Sequence, residues 1–152
     1  MYPWVRYRTM SVPDHTAAST DDYTSIMQLR AAYSHHIDAG NWVSWADLFA
    51  EDALCNFGFK EISGRDNVEE FGREFVEPRF EQSFHMAHMP VIELDGDEGI
   101  GAWYLHVYYE RPESSGWILG RYDDEYVLTE DGWKFQTVTN EVHVDTGDLF
   151  DA

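Results

Sequence analysis

The chain has little of several things that define whole classes of protein. Cys55 is its only cysteine, which excludes an intramolecular disulfide and a cysteine-built zinc site. That residue sits in Ala-Leu-Cys-Asn-Phe, an apolar strand-like setting, and is expected to be an inert core thiol. Basic residues are scarce: eight Arg and two Lys stand against 29 acidic residues, a net charge of −19 over 152 residues. Neutralising phosphates requires clustered cations, and these are scattered, so nucleic acid is excluded as a partner and an anionic membrane surface is disfavoured. No apolar run reaches the ~18 residues of a spanning helix. Arg6 and Arg8 are followed by no apolar segment, so the start of the chain does not read as a secretory signal, and a cytoplasmic protein is expected. A glycine-rich phosphate loop, a Gly-x-Ser-x-Gly elbow and a His-Glu-x-x-His pair are also missing.

What is present is aromatic. Six Trp, nine Tyr and nine Phe argue against the disorder that so acidic a composition would otherwise suggest. The carboxylates then read as the solvated surface of a folded domain, adapted to high salt that screens their repulsion. The length fits one core: a domain over residues 21–144, preceded by a flexible arm (1–20) and followed by an acidic tail (145–152) that should fray.

Ser19-Thr20-Asp21-Asp22 is a helix-start signal, and Ile26, Leu29, Tyr33 and Ile37 form a helical stripe that stops at Ala39-Gly40. A second short helix is expected over Asn41–Phe49, a strand over Ala53–Lys60, and a third helix from Arg65 carrying Val68, Phe71 and Phe75 to Pro78. Four β-rich stretches follow (84–94, 100–109, 117–129 and 133–144), separated by turn signals. Helices segregated before an antiparallel meander predict an α+β domain, its sheet curled over the first helix. A curled open sheet leaves a broad outer face to cover, which favours self-association.

Candidate chemistry lies with histidine, tyrosine and carboxylate. His35 and His36 point ~100° apart on a helix and suit no metal motif, so solvent or interface positions are expected. Asp38 stands at a helix C-terminus, where the dipole disfavours a carboxylate; a histidine partner there would make a proton-shuttling dyad. Strand alternation groups Phe84, Met86, His88, Ile92 and Leu94 on one face, which favours His88 over His85 as the pocket histidine, although Pro90 can break the register. Trp42, Trp45, Phe57, Trp103, Tyr104, Tyr108 and Tyr126 are candidates to line an apolar cavity, with packing as their alternative role. His106 and His143 carry no assigned role.

The sequence Tyr33-Ser-His-His-Ile-Asp38-Ala-Gly-Asn-Trp42, then Trp45-Ala-Asp-Leu-Phe49, Gly64-Arg-Asp66, His85…Pro90-Val-Ile-Glu-Leu-Asp95-Gly and Gly120-Arg-Tyr-Asp-Asp-Glu-Tyr126…Asp131-Gly-Trp133 resembles SnoaL-like members of the nuclear transport factor 2-like superfamily. Within it, His85-Met-Ala-His88-Met-Pro90 and Gly101-Ala-Trp103-Tyr104-Leu105 look most like the bile acid 7α-dehydratase group, relatives of scytalone dehydratase. The resemblance implies a cone-shaped α+β barrel, a homodimer or homotrimer, and a dehydratase that needs neither metal nor organic cofactor. It assigns the catalytic roles to Tyr33, Asp38 and His85, choosing His85 against the alternation argument and leaving His88 as a second pocket residue. An arginine found near the end of the last strand in the bile acid enzymes has no counterpart in Asn140-Glu-Val-His143. Nor is the full set of tyrosines and the asparagine of scytalone dehydratase matched. The implied substrate is a small hydrophobic hydroxylated carbonyl compound of steroid, terpenoid or polyketide type. Isomerase, cyclase or epoxide hydrolase chemistry on the same scaffold is the alternative within enzymes. A non-catalytic ligand-binding or assembly module is the alternative outside them. An intact Tyr33–Asp38–His85 cluster in a pocket would favour the enzyme, and a filled cone the module.

Overall fold

The computed structural model describes residues 21–149; the expected N-terminal arm and residues 150–152 lie outside the described residues. Asp21 starts helix α1 (Asp22–Ala39) by accepting from the Thr24 backbone N–H at 2.8 Å and the Thr24 hydroxyl at 2.7 Å, which satisfies a donor left free at the positive helix end. Gly40 stops it at φ 71°, a left-handed conformation that only glycine adopts without strain.

The short helix α2 covers Trp42–Ala46 and not the whole expected stretch. The chain leaves the helix because the Leu48 carbonyl accepts from the Phe135 N–H at 2.9 Å, and Phe49 already opens strand β1 (Phe49–Asn56). The single strand expected over 53–60 is in fact a hairpin. A turn in which Asn56 accepts from the Gly58 N–H at 2.9 Å joins β1 to a short β2 (Glu61–Ser63). Helix α3 (Arg65–Phe71) then widens into a π-turn over Gly72–Val76 and ends in a 3-10 turn at Glu77–Arg79. Gly72 is required there by close approach, since a Cβ would come within 2.4 Å of the Trp42 indole.

Strands β3 (Gln82–Asp95), β4 (Glu98–Arg111), β5 (Ser114–Thr129) and β6 (Gly132–Asp145) form the expected antiparallel meander. The sheet order is β2-β1-β6-β5-β4-β3, with β1 parallel to β6 and β3 at an edge. Register shifts at His88–Val91, Leu119–Gly120 and Glu125–Tyr126 bend the strands, and the unclosed sheet curves over α1 to make the α+β cone. Its inner face buries Leu105, Val107, Tyr122 and Phe135 against Leu29, Tyr33 and Ile37 of the helix.

Two further features shape the interior. Arg30, on α1, is fully buried among the rings of Tyr33, Tyr122 and Phe135, with its guanidinium 4.5, 3.9 and 4.5 Å from their centroids. It donates to Asp124 in a buried ion pair, Nε to Oδ2 at 3.1 Å. The Tyr126 hydroxyl donates to the same carboxylate at 2.8 Å and receives the Trp103 indole N–H at 2.8 Å. Burial opposes the Arg30 charge, but Asp124 outweighs it and holds the guanidinium above its ordinary pKa. The start of the acidic tail, secondly, makes contacts back to the sheet. Asp145 accepts from the Tyr109 hydroxyl at 2.7 Å and from the N–H groups of Gly147 and Leu149 at 3.2 and 2.6 Å, and the Leu149 side chain is buried.

Candidate active site

The site is assembled where the C-terminal end of α1 meets the edge strand β3. Asp38, only 4% exposed, accepts three hydrogen bonds there. Its Oδ1 receives the Ser83 hydroxyl at 2.9 Å and His85 Nδ1 at 2.6 Å, and its Oδ2 receives the His85 backbone N–H at 2.8 Å. These donors supply what the helix end withholds from a carboxylate. Because a carboxylate only accepts, the His85 ring donates through Nδ1, and in the neutral imidazole that arrangement makes Nε2 the acceptor.

His85 faces the cone because the edge strand changes register. Met89 takes φ 54° before Pro90, and pairing with β4 slips between His88 and Val91. Ser83, His85 and Ala87 therefore point inward before the bulge, and Ile92 and Leu94 after it. Uniform alternation fails for this reason, and His88 is corrected from a pocket residue to an outer-face one, where its Nε2 shares a hydrogen bond with His106 Nδ1 at 3.1 Å.

A half-open cavity of about 80 Å³ adjoins His85. Phe57 and Phe59 from the β1–β2 turn, Phe71 from α3, and Phe75 from the π-turn supply an aromatic wall, stacked in pairs with centroids 4.8–5.1 Å apart. Leu105, Val107 and Ile118 from the sheet, Trp45 from α2, Asn140 from β6, and Leu149 of the C-terminal turn complete most of the lining. A second, open hollow of about 550 Å³ reaches the dyad from the outer side of β3, between Ser34 and His35 of α1 and Phe84, Met86, Tyr108 and Trp117.

The remaining candidates separate into three groups. Trp45 and Phe57 line the cavity. Tyr33, Trp42, Trp103 and Tyr126 are buried but do not line it. Tyr33 packs edge-on against Trp45, Tyr122 and Phe135, and burial pushes its pKa well above the ordinary tyrosine value. The carbonyl-polarising place that the resemblance gives Tyr33 is thus occupied by core packing. Trp42 donates to Glu77 at 2.9 Å, and Trp103 and Tyr126 belong to the Arg30–Asp124 network. Tyr104, 57% exposed, stands on the outer face beside His88. His35 is exposed as expected, whereas His36 is buried, with its Nδ1 3.5 Å from Asn41 Nδ2. Among the described residues, no group of three or more His, Cys, Asp or Glu is placed to hold a metal ion. Sequence reasoning missed Asn140 and Ser83 as site residues. Only inward alternation along β6 and β3 could have signalled them.

Solved structures share this architecture at identities that speak for the fold alone. A candidate aromatic ring hydroxylase from Novosphingobium aromaticivorans is 23% identical, with a TM-score of 0.77 over 87% of this chain and 96% of its own. A candidate scytalone dehydratase from the same organism is 22% identical, with a TM-score of 0.74 over 80% and 83%. A hexachlorocyclohexane dehydrochlorinase, LinA type 2, is 18% identical, with a TM-score of 0.76 over 80% and 85%. No curated protein matches the sequence. The family model of the SnoaL-like domain matches residues 18–139, most of the helix-and-sheet unit just described, and the chain belongs to that family, within the nuclear transport factor 2-like superfamily.

Proposed function

We propose that this protein is a lyase that removes water from a small, largely apolar hydroxylated carbonyl compound by acid–base catalysis at His85 and Asp38. The observation that carries the reading is the dyad itself: a 2.6 Å Asp38–His85 contact, braced by Ser83 and the His85 backbone, opening on an apolar cavity. The structural neighbours include a candidate dehydratase and a dehydrochlorinase, both names for eliminations.

In the proposed reaction His85 Nε2 takes the proton from the carbon beside the carbonyl, and the C–H electron pair becomes the enolate. The enolate then expels the hydroxyl, the imidazolium returns its proton to that leaving oxygen, and water departs as the C=C bond forms. Asp38 keeps the ring in the required tautomer and balances the imidazolium charge. The elimination as written needs only this acid and base.

A cavity of about 80 Å³ is roughly half of one known to hold benzene, so the cone is nearly filled, as a non-catalytic module would be. Leu149 reconciles the two. It reaches the cavity from a turn held by Asp145 and Tyr109 and by two hydrogen bonds between Thr146 and Trp117 of β5, and withdrawing that turn would enlarge the space at the expense of those bonds. A polycyclic substrate requires this movement; a single ring requires less of it.

We also propose that a second copy of the chain covers the outer sheet face. Met86, Tyr104, Trp117, Leu119 and Val144 are 40, 57, 46, 37 and 43% exposed there. None of these residues, nor His88 and His106 beside them, is a carboxylate; Glu110, bonded to Tyr108, and Glu141, opposite Arg121, border the patch. In a chain of charge −19, such a patch is where two copies meet with least repulsion.

The decisive experiment incubates the protein with a panel of β-hydroxy ketones and follows loss of water by mass spectrometry. Turnover in the wild type and its loss in His85→Ala support the reading. Equal turnover in His85→Ala overturns it.

A further inference from the structure

We infer that the indole N–H of Trp45 is the anchor for a ligand oxygen inside the cone, so that the ligand is a neutral, mostly apolar molecule bearing a carbonyl oxygen. Three other buried tryptophans each donate to an acceptor: Trp42 to Glu77 at 2.9 Å, Trp103 to Tyr126 at 2.8 Å and Trp133 to Asp22 at 2.9 Å. Trp45 is fully buried, and its Nε1 has no partner among the described residues. It is also the one of these four that lines the cavity. Buried donors are rarely left unpaired, and a donor left so on a side chain that lines a cavity is open to completion by a ligand.

A second unpaired atom supports the assignment. Asn140 Oδ1 is buried without a partner and belongs to the same wall. The rest of that wall is phenylalanine and aliphatic side chains, apart from His85 and the exposed Arg79. A β-hydroxy carbonyl compound meets both needs: its carbonyl oxygen accepts from Trp45, and its hydroxyl donates to Asn140. Trp45 then does what the resemblance expects of Tyr33, which is buried in the core and does not line the cavity. The substrate class rests on the lyase reading; the oxygen anchor does not, since it needs only binding.

The test is a titration of the ¹⁵N-labelled full chain with cyclohexenone and, separately, with cyclohexene, following the indole N–H signals; Trp45→Phe identifies the relevant one. Cyclohexenone is expected to move the Trp45 signal downfield and to bind Trp45→Phe about tenfold more weakly. Cyclohexene should bind both proteins alike. Failure of cyclohexenone to bind, an unmoved Trp45 signal, or equal affinity in Trp45→Phe overturns the inference. If Trp45→Phe does not fold, the six indole signals of the wild type are assigned through the backbone, and the shift alone decides. His85→Ala should retain the downfield shift. Retained binding in a protein that turns over no β-hydroxy ketone would leave the anchor standing and the lyase reading refuted.

Discussion

Asp38→Asn tests the dyad without a known substrate, because its geometry forces a choice on the asparagine. If the amide oxygen takes the Oδ1 position, the amide NH₂ meets the His85 backbone N–H at 2.8 Å, donor against donor. If it takes the Oδ2 position, the NH₂ faces the Ser83 hydroxyl, which can turn to accept, and His85 Nδ1, which must then give up its proton. The second arrangement preserves the contacts, so Asp38→Asn should drive His85 to the tautomer protonated on Nε2. Charge assistance at three hydrogen bonds is lost, a destabilisation of about 2–4 kcal/mol. The base is also blocked, a rate loss of about 10³–10⁴-fold by analogy with serine proteases whose triad aspartate is changed to asparagine. Ser83→Ala removes one donor and leaves the tautomer alone: about 1–2 kcal/mol of stability, with the rate within about tenfold of wild type.

The assays are urea unfolding and the ¹⁵N shifts of the His85 ring. Wild type and Ser83→Ala should show a protonated Nδ1, and Asp38→Asn a protonated Nε2. An unchanged tautomer in Asp38→Asn, or a loss of turnover in Ser83→Ala equal to that in Asp38→Asn, would refute the reasoning.

Other parts of the structure make separate predictions. Arg30→Met should cost about 3–5 kcal/mol in urea unfolding by leaving Asp124 buried and unpaired, and Asp124→Leu added to it should recover most of the loss; additive losses would show the pair to be unimportant. Burial pushes the Cys55 thiol up to about 12, so a disulfide-exchange reagent at neutral pH should modify it only as fast as the protein unfolds, and rapid labelling of the native protein would contradict its buried setting. A −19 chain should gain thermal stability with added salt, roughly 3 °C or more between low and molar KCl, and a flat response would remove the case for surface repulsion. Trp117→Glu, on the outer sheet face, should lower the solution mass measured by light scattering to that of one chain. An unchanged oligomer would place the contact elsewhere, and a monomeric wild type would end the proposal.

The fold was readable because its signals are local. Asp21 and Gly40 cap α1 through their own neighbours, and the turn residues of the meander act within a few positions. Where the sequence-based expectation slipped, a distant partner decided: β6 pulls Leu48 out of α2, and β2 exists because Glu61–Ser63 pairs back onto β1. Periodicity identified Asp38 as an odd carboxylate but could not choose between His85 and His88, since one left-handed residue, Met89, exchanges the two faces of β3. The family resemblance chose His85, the histidine that meets Asp38. It did not foresee that Tyr33 would be absorbed into packing around Arg30, because a buried arginine in a helical stripe leaves no periodic signature distinct from a surface one.

The two buried carboxylates among the described residues show why only one of them suits catalysis. Asp124 faces Arg30, whose charge is permanent, and also receives the Tyr126 hydroxyl. Its charge is balanced before any reaction, and a proton arriving nearby gains nothing from it. Asp38 faces an imidazole that is charged only when protonated, a hydroxyl and a backbone N–H, and with the imidazole neutral these partners stabilise its charge by dipoles without cancelling it. A proton taken up by His85 completes an ion pair only then, so the attraction strengthens as the proton leaves the substrate. Exchanging the partners would exchange the roles, since a permanent cation beside Asp38 would hold the helix end equally well and take no proton.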